Sequence, residues 1–493
     1  METMGNLLIL FTASLCLYLF VALLNVFYKY WWIPQRVQFI MNSQGIRGPP
    51  YEFIHGNNKE IAQMFMEAST KPMALTHDIF PRVVPHVYSW INKYGKTYLS
   101  WNGIRARLLI TDPELVKEVL KNSEKAFRKT KASYFFDKLI GDGLASTERE
   151  KWARLRKLAN YAFHGESLKT MTPAVVASVE TMLEKWKSKE GKEIEVFQEF
   201  RLLTSEVISR TAFGSSYLEG EKIFDMLRSC HKFWKSADEI ESERIAKMIH
   251  DSVMSIVEKR EKRADEKNRL SIQDLVDECK TFYFAGQETV NSLLAWATLL
   301  LAIHTDWQDR ARAEVIEVFG NQNPNFEGMA KLKTVSKLYK FKSLKLTITM
   351  IINETLRLYP PISGVIREVG REVQLGKLVL HTHSEVDMRI IALHHDPDLW
   401  GDDVNLFKPE RFAEGIAKAT KYNAAAFMPF GLGPRSCIGM SFAITEAKTA
   451  LSMILQRYTV TVSPTYVHAP APRLTLKPQH EMQLLFHSLH YDA

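Results

Sequence analysis

The chain has 493 residues, 46% hydrophobic and 24% charged, with 64 Lys+Arg against 56 Asp+Glu and a formal charge of +8. This balance excludes a disordered or fibrous body, and the length suffices to bury a large apolar cofactor. The positive excess is spread thinly, which argues against nucleic-acid binding, and four cysteines with no C-x-x-C pair exclude a disulfide framework or zinc knuckle.

Residues 5–28 carry no charge. As a helix they span ~36 Å, enough to cross a bilayer. The run is too long for a cleavable signal and lacks a small-residue cleavage site. Lys29, Arg36 and Arg47 follow it and only Glu2 precedes it, so the positive-inside bias puts the body on the cytosolic side. Tyr28, Tyr30, Trp31 and Trp32 form an interfacial aromatic belt. We divide the chain into an anchor (1–30), a proline-containing linker (31–50) and a body (51–493). Pro34 and the GIRGPP run at 45–50 are expected to stop the helix and stiffen the linker.

In the body, residues 97–110 read as a hairpin turning at Asn102-Gly103. Asp112-Pro113-Glu114 opens a capped helix. A basic helix runs from 148 to 162, and residues 172–254 are helical in pattern throughout. Ser271, with Asp274 three residues on, caps a helix reaching about residue 303. That helix is apolar nearly all round, so it runs through the middle of a large domain. Another helix covers 346–358 and stops at Pro360-Pro361. Short strands, a loop and a helix after Cys437 complete a mainly α body with a minor β part.

The strongest motif is F-x-x-G-x-R-x-C-x-G, from Phe430 to Gly439. Glycines let the backbone turn tightly and approach a flat ligand. A cysteine where a helix begins meets amide N–H groups that favour its ionised sulfur, a metal ligand. Arg435 is placed to pair an anion beside the metal. Ala285-Gly286-Gln287-Glu288-Thr289 interrupts the long apolar helix. Gly286 there signals a kink or something large against the backbone, and Thr289 can bond back to a carbonyl. An acid beside a hydroxyl makes a short proton relay. Glu354 and Arg357 lie i, i+3 on one helix face and can pair. Trp152 and Arg156 likewise share a face and can donate to carboxylates.

Together these motifs resemble the cytochrome P-450 family of haem-thiolate monooxygenases, along essentially the whole chain. The likeness is nearest to a plant microsomal clan that includes secologanin synthase and terpenoid and hormone hydroxylases. The resemblance implies a P-450 fold behind one N-terminal transmembrane helix. It implies haem b with Cys437 as axial ligand. Arg435, Trp152, Arg156, Arg367, Phe430, Ala285 and Gly286 would contact the cofactor. Thr289 would bond iron-bound dioxygen and Glu288 would help deliver protons. Glu354, Arg357 and Arg411 would form a buried structural triad. Phe135, Phe136, Phe282, residues 362–365 and the tip near Met482 would line an apolar substrate pocket.

The implied activity is insertion of one atom of dioxygen into a lipophilic terpenoid, steroid-like or hormone-like molecule. Electrons would come from NADPH through a cytochrome reductase in the endoplasmic reticulum membrane. Lys151, Arg154, Lys157 and Lys418 are candidates to face that reductase. The alternatives are a reductase-independent isomerase or dehydratase, or a catalytically impaired haem-binding relative. Departures from the family pattern motivate the latter. Residues 331–346 are long and basic, residues 227–271 are short, His381 replaces a proline and Glu481 a glycine.

Overall fold

A computed structural model describes residues 2–122, 126–130, 140–212, 247, 251, 254, 270–329, 347–382 and 384–489. The expectations at Phe135, Phe136 and 331–346, and nearly all of those at 227–271, lie outside these residues. Helices dominate the described chain, with short strands between them. The strands are numbered β1 to β12 in chain order. The chain divides into two compact units.

The first unit comprises Met1–Lys71, Phe80–Thr130 and Gly364–Ala392. Its N-terminal run Met4–Ser43 is long and apolar enough to cross a membrane, and most of its apolar side chains before Ile33 are exposed, while Pro34 and Met41 are buried. The expected stop at Pro34 does not occur. The helix Glu2–Phe27 passes through a π turn at Tyr28–Trp32 into the helix Ile33–Ser43, with Pro34 in its first turn. Pro34 has no N–H to give to the Tyr30 carbonyl four residues back. The Tyr51 hydroxyl donates to that carbonyl at 2.6 Å, so no acceptor is stranded and the rod continues.

A five-stranded sheet follows, ordered β1 (Thr97–Asn102), β2 (Arg105–Ile110), β8 (Glu385–Met388), β5 (Val365–Val369) and β3 (Phe127–Lys129). The β1–β2 hairpin turns where Asn102-Gly103 predicts, and β2 pairs in parallel with β8. Asp112 Oδ1 accepts the Glu114 and Leu115 N–H groups, as its capping role requires. β6 (Val373–Leu375) and β7 (Leu378–Leu380) form a ribbon, beyond which His381 Nδ1 lies 2.7 Å from Glu372.

The second unit comprises Pro72–Ile79, Lys131–Ser363 and Leu393–Ala493. Its axis is the long helix Ile272–Ile303, 32 residues or ~48 Å, with the Ser271 hydroxyl accepting the Asp274 N–H. Against it pack Val196–Ala212, Thr305–Phe319, Thr347–Leu358 and Met440–Arg457. The helical stretch expected from 172 is broken by the short strand β4 (Glu193–Glu195), after the helix Gly165–Lys187. β4 pairs with β12 (Gln483–Ser488), which pairs with β9 (Tyr458–Val462). β10 (Pro470–Pro472) and β11 (Leu476–Pro478) make a second hairpin.

The triad forms as expected. Arg357 grips Glu354 bidentately at 2.7 and 2.8 Å, with both side chains fully buried. Arg411 Nε completes the ion pair at 3.5 Å. Its other donors reach the Trp400 and Asp403 carbonyls and the Asp403 carboxylate.

Candidate functional site

The site grows from the loop ahead of the helix Met440–Arg457. Gly431 and Gly433 take φ of +72° and +78°, which a side chain would strain. These two reversals bring the Cys437 N–H onto the Phe430 carbonyl at 2.8 Å, closing the loop on itself. The Cys437 side chain keeps exposed surface. Yet burial among surrounding protein atoms pushes its thiol above the usual range, against the Gly439 N–H and the charge of Arg156, which pull it down. Both hold only if the sulfur faces an opening within the protein. The helix-start amides were expected to favour thiolate, but burial outweighs them. A bound metal cation would supply what they lack, since a coordinating thiol is deprotonated outright.

Two arginines flank the sulfur. On the helix Arg149–Ala162, Arg156 donates to the Ser436 carbonyl at 2.7 Å. Burial lowers its pKa, the Cys437 sulfur raises it and Arg435 lowers it. Arg435 donates to the Thr147 carbonyl at 2.7 Å, with its guanidinium 4.5 Å over the Trp152 ring. The one-face spacing of Trp152 and Arg156 thus brings both to the cysteine loop. Lys151 and Arg154 on the same helix are instead engaged with Asp142 and Asp274, and Lys418 pairs with Glu414.

The long helix contributes a face of another character. Phe282, Ala285, Gly286 and Thr289 stand at i, i+3, i+4 and i+7, and all escape burial, with Ala285 exposed. From 281 to 302 only Phe284 shares that property. An open stripe of small and apolar residues on an otherwise buried core helix is a surface shaped for a flat apolar group. Phe282 and Ile438, the neighbour of Cys437, pack on one cluster with Trp152, Leu144 and Leu155. Stripe, thiol and arginines therefore belong to one place.

Within the stripe, the Thr289 hydroxyl donates to the Ala285 carbonyl at 2.8 Å. Gly286 is explained by packing: a Cβ there would lie 2.8 Å from Ile208 Cδ1 on the crossing helix. Glu288 points elsewhere, as the next residue on a helix must. Its carboxylate is buried, 2.6 Å from Lys477 Nζ, and accepts from the Thr475 hydroxyl at 3.3 Å. The expected acid–hydroxyl relay is therefore not a direct contact between the two side chains.

Other expected positions separate. Met482 is fully buried, with its backbone bonded to Glu195 and Val196, so it lines no open space. The end of the β10–β11 hairpin, where Leu474 keeps accessible surface, is the apolar tip instead. The alternation within residues 474–477 carried that signal. Ile362 and Ser363 are half-buried, which suits a wall. Arg367 lies on β5 in the first unit, buried, and donates to the Ile366 carbonyl at 2.9 Å. Glu278, a turn before Phe282, went unnoticed. It accepts the Leu144 N–H at 2.6 Å and burial pushes its pKa up to about 7.

The chain matches the profile described as Cytochrome P450 over residues 84–242 and 220–486, two stretches that overlap where the sequence looks short. It is 50% identical to "Cytochrome P450 CYP749A22" of Panax ginseng, covering 97% of this chain and 96% of that one. It is 39% identical to "Cytochrome P450 734A1" of Arabidopsis thaliana, covering 93% of each. It is 40% identical to "11-oxo-beta-amyrin 30-oxidase" of Glycyrrhiza uralensis, covering 93% and 94%.

Proposed function

Because this chain belongs to the cytochrome P450 family of monooxygenases, we propose that Cys437 ligates haem b iron and that the substrate is a lipophilic terpenoid- or hormone-like molecule. The family implies haem, and the residues present fit it. The observation that carries the reading is an accessible thiol enclosed by protein, grouped with an open stripe on a buried helix.

Bound there, haem supplies the activation of dioxygen that no side chain can perform. Cys437 supplies the sulfur ligand, and the Gly439 N–H tempers its charge. Arg156, Arg435 and the Trp152 indole offer donors for the carboxylates on the cofactor's edge. Ala285 leaves room for the flat face, and Phe282 shields it. Thr289 presents its hydroxyl on the open stripe. Glu288 Oε2 is held by Lys477 Nζ at 2.6 Å and by the Thr475 hydroxyl at 3.3 Å, one residue before Thr289, so its support of proton delivery to that hydroxyl would run through intervening water. Phe282, Ile362 and Leu474 keep the reacting space apolar, which suits a lipophilic substrate. The oxidase of a triterpenoid at 40% identity supports the terpenoid class. We place the body at the cytosolic face of the endoplasmic reticulum, held by the apolar run Met4–Ser43, where an NADPH-dependent reductase delivers electrons.

The test is purified holoenzyme with reductase, NADPH and a terpenoid panel, beside Cys437→Ser. The wild type is expected to show substrate-induced spectral shifts, the thiolate-type carbonyl band and hydroxylated product, and the variant none of them. A serine variant with unaltered pigment and turnover refutes the assignment. Conversion of a peroxide substrate without NADPH supports the isomerase or dehydratase alternative.

A further inference from the structure

Away from this site, five titratable rings from four segments form one file through the second unit. His304 Nε2 lies 3.1 Å from His77 Nε2, and His77 Nδ1 lies 2.9 Å from the Tyr359 hydroxyl. The Tyr359 hydroxyl makes a long 3.5 Å contact with His468 Nε2, and His468 Nδ1 lies 2.9 Å from the Tyr466 hydroxyl. Tyr359, His77 and His468 are buried. One polarity pairs every group: Tyr466 donates to His468, His468 to Tyr359, Tyr359 to His77 and His77 to His304. Burial, then the charge of His304, hold His77 neutral with its pKa down to about 3. The Trp296 indole stacks on Tyr359 with centroids 4.5 Å apart and planes 15° from parallel.

We propose that Tyr359 is a redox-active tyrosine, with Trp296 as its electron contact and His77 as its proton acceptor, draining oxidising equivalents from the cofactor side of the long helix toward Tyr466. This rests on the haem reading given above. Trp296 is seven residues beyond Thr289, ~10 Å along the same helix. A phenol losing only an electron here would leave a buried cation, which is costly. The hydrogen bond to His77 lets the proton leave the phenol, and the His77 Nε2–His304 Nε2 contact at 3.1 Å passes the charge on toward half-buried His304. With haem bound and oxidised by a hydroperoxide, the electron would leave Tyr359 through Trp296 and be taken up by the oxidised cofactor. The Tyr359 O–H bond breaks and an N–H bond forms at His77 Nδ1, giving a neutral tyrosyl radical and an imidazolium.

An electron from Tyr466 then refills Tyr359, which takes its proton back from His77, while the Tyr466 proton passes to His468 Nδ1. Thr465 and Val467, on either side of Tyr466, line an open cleft of about 860 Å³. A water-soluble thiol or ascorbate entering that cleft would give one electron to the Tyr466 radical, which takes its proton back from His468 Nδ1, while the donor releases its own proton to water. A purely structural tyrosine needs one partner for its hydroxyl; this one has an imidazole on each side and an aromatic ring stacked on its face.

The experiment treats substrate-free holoenzyme with an alkyl hydroperoxide, freeze-quenches it and records the radical by electron paramagnetic resonance, with haem bleaching followed in parallel. Haem content and the carbonyl band are measured for each protein. Wild type is expected to give a tyrosyl radical. Tyr359→Phe, which keeps the ring stack, should lose most of it and bleach several-fold faster. His77→Gln should lower the yield, and Tyr466→Phe should prolong the radical on Tyr359. Equal radical yield and bleaching in wild type and Tyr359→Phe, both with full haem and the carbonyl band, overturn the relay alone. A chain that takes up no haem overturns the relay and the function reading together.

Discussion

Replacing Glu354 by alanine should disarm the core without touching the sulfur ligand. Glu354 accepts from Arg357 at 2.7 and 2.8 Å and from the Lys408 N–H at 3.0 Å, and it balances the Arg411 charge. After its removal Arg357 keeps no anionic partner among those described: the His394 carbonyl at 2.9 Å, the Leu406 carbonyl at 3.4 Å and the Trp400 ring at 5.3 Å remain. The guanidinium then stays charged in a fully buried position. Breaking one side of such a pair costs about 3–5 kcal/mol. That is roughly a hundredfold to several-thousandfold in the folding equilibrium. Glu354→Gln, which keeps an acceptor oxygen but loses the charge, should cost less. Denaturant unfolding of the purified variants, with haem retention read alongside, measures both. The reasoning fails if Glu354→Ala unfolds within about 1 kcal/mol of wild type, the scale of an exposed pair, or if Gln proves worse than Ala.

Two further outcomes follow from packing and charge. A methyl at Gly286 would press on Ile208 Cδ1 at 2.8 Å, so Gly286→Ala should destabilise by about 1–3 kcal/mol, and Ile208→Val should restore most of it; thermal melting of the single and double variants decides. Stability should also depend on pH with two opposed components. Burial lowers His77, His86 and His394 to about 3 and His395 to about 4, so the unfolded chain binds their protons first and stability climbs as pH rises from about 3 to 6.5. Burial raises Glu278 and Glu314 from 4.5 to about 7, so the folded chain holds those protons longer and each subtracts from the climb across that window. Glu278→Gln should therefore steepen the rise between 4.5 and about 7 in urea midpoints, and an unchanged slope would contradict the assignment.

Legibility in the sequence followed how local each signal is. Asp112 and Ser271 cap helices because a side-chain oxygen three residues from a free N–H has few other choices, and both were readable. The cysteine loop was readable because two left-handed glycines, an arginine and a cysteine within ten residues serve few purposes. The Glu354–Arg357 pair needed a helix face and its place just ahead of Tyr359-Pro360-Pro361. What escaped was tertiary. Lys477 lies 189 positions from Glu288 in the sequence, so nothing local showed that the acid would turn from Thr289 to a hairpin. Gly286 signalled a kink or something large against the backbone, but not that a side chain there would meet Ile208, from a helix whose approach no periodicity reveals. The tip of the last hairpin was placed at Met482, yet strand register, set by pairing with β4 and β9, buries that residue. The unbroken helical pattern from 172 missed β4, whose three residues are held by β12 from the far end of the chain.

The Tyr51 hydroxyl standing in for the amide that Pro34 lacks has a mechanical consequence. Without that substitute, the Tyr30 carbonyl would need another donor, and the rod would gain a swivel at that level. With it, the apolar shaft and the segment through Ser43 are expected to turn as one piece. Rocking of the shaft would then be passed to the residues around Tyr51 instead of being absorbed at a joint. One phenolic oxygen thereby helps set how stiffly the N-terminal rod is joined to the rest of the first unit.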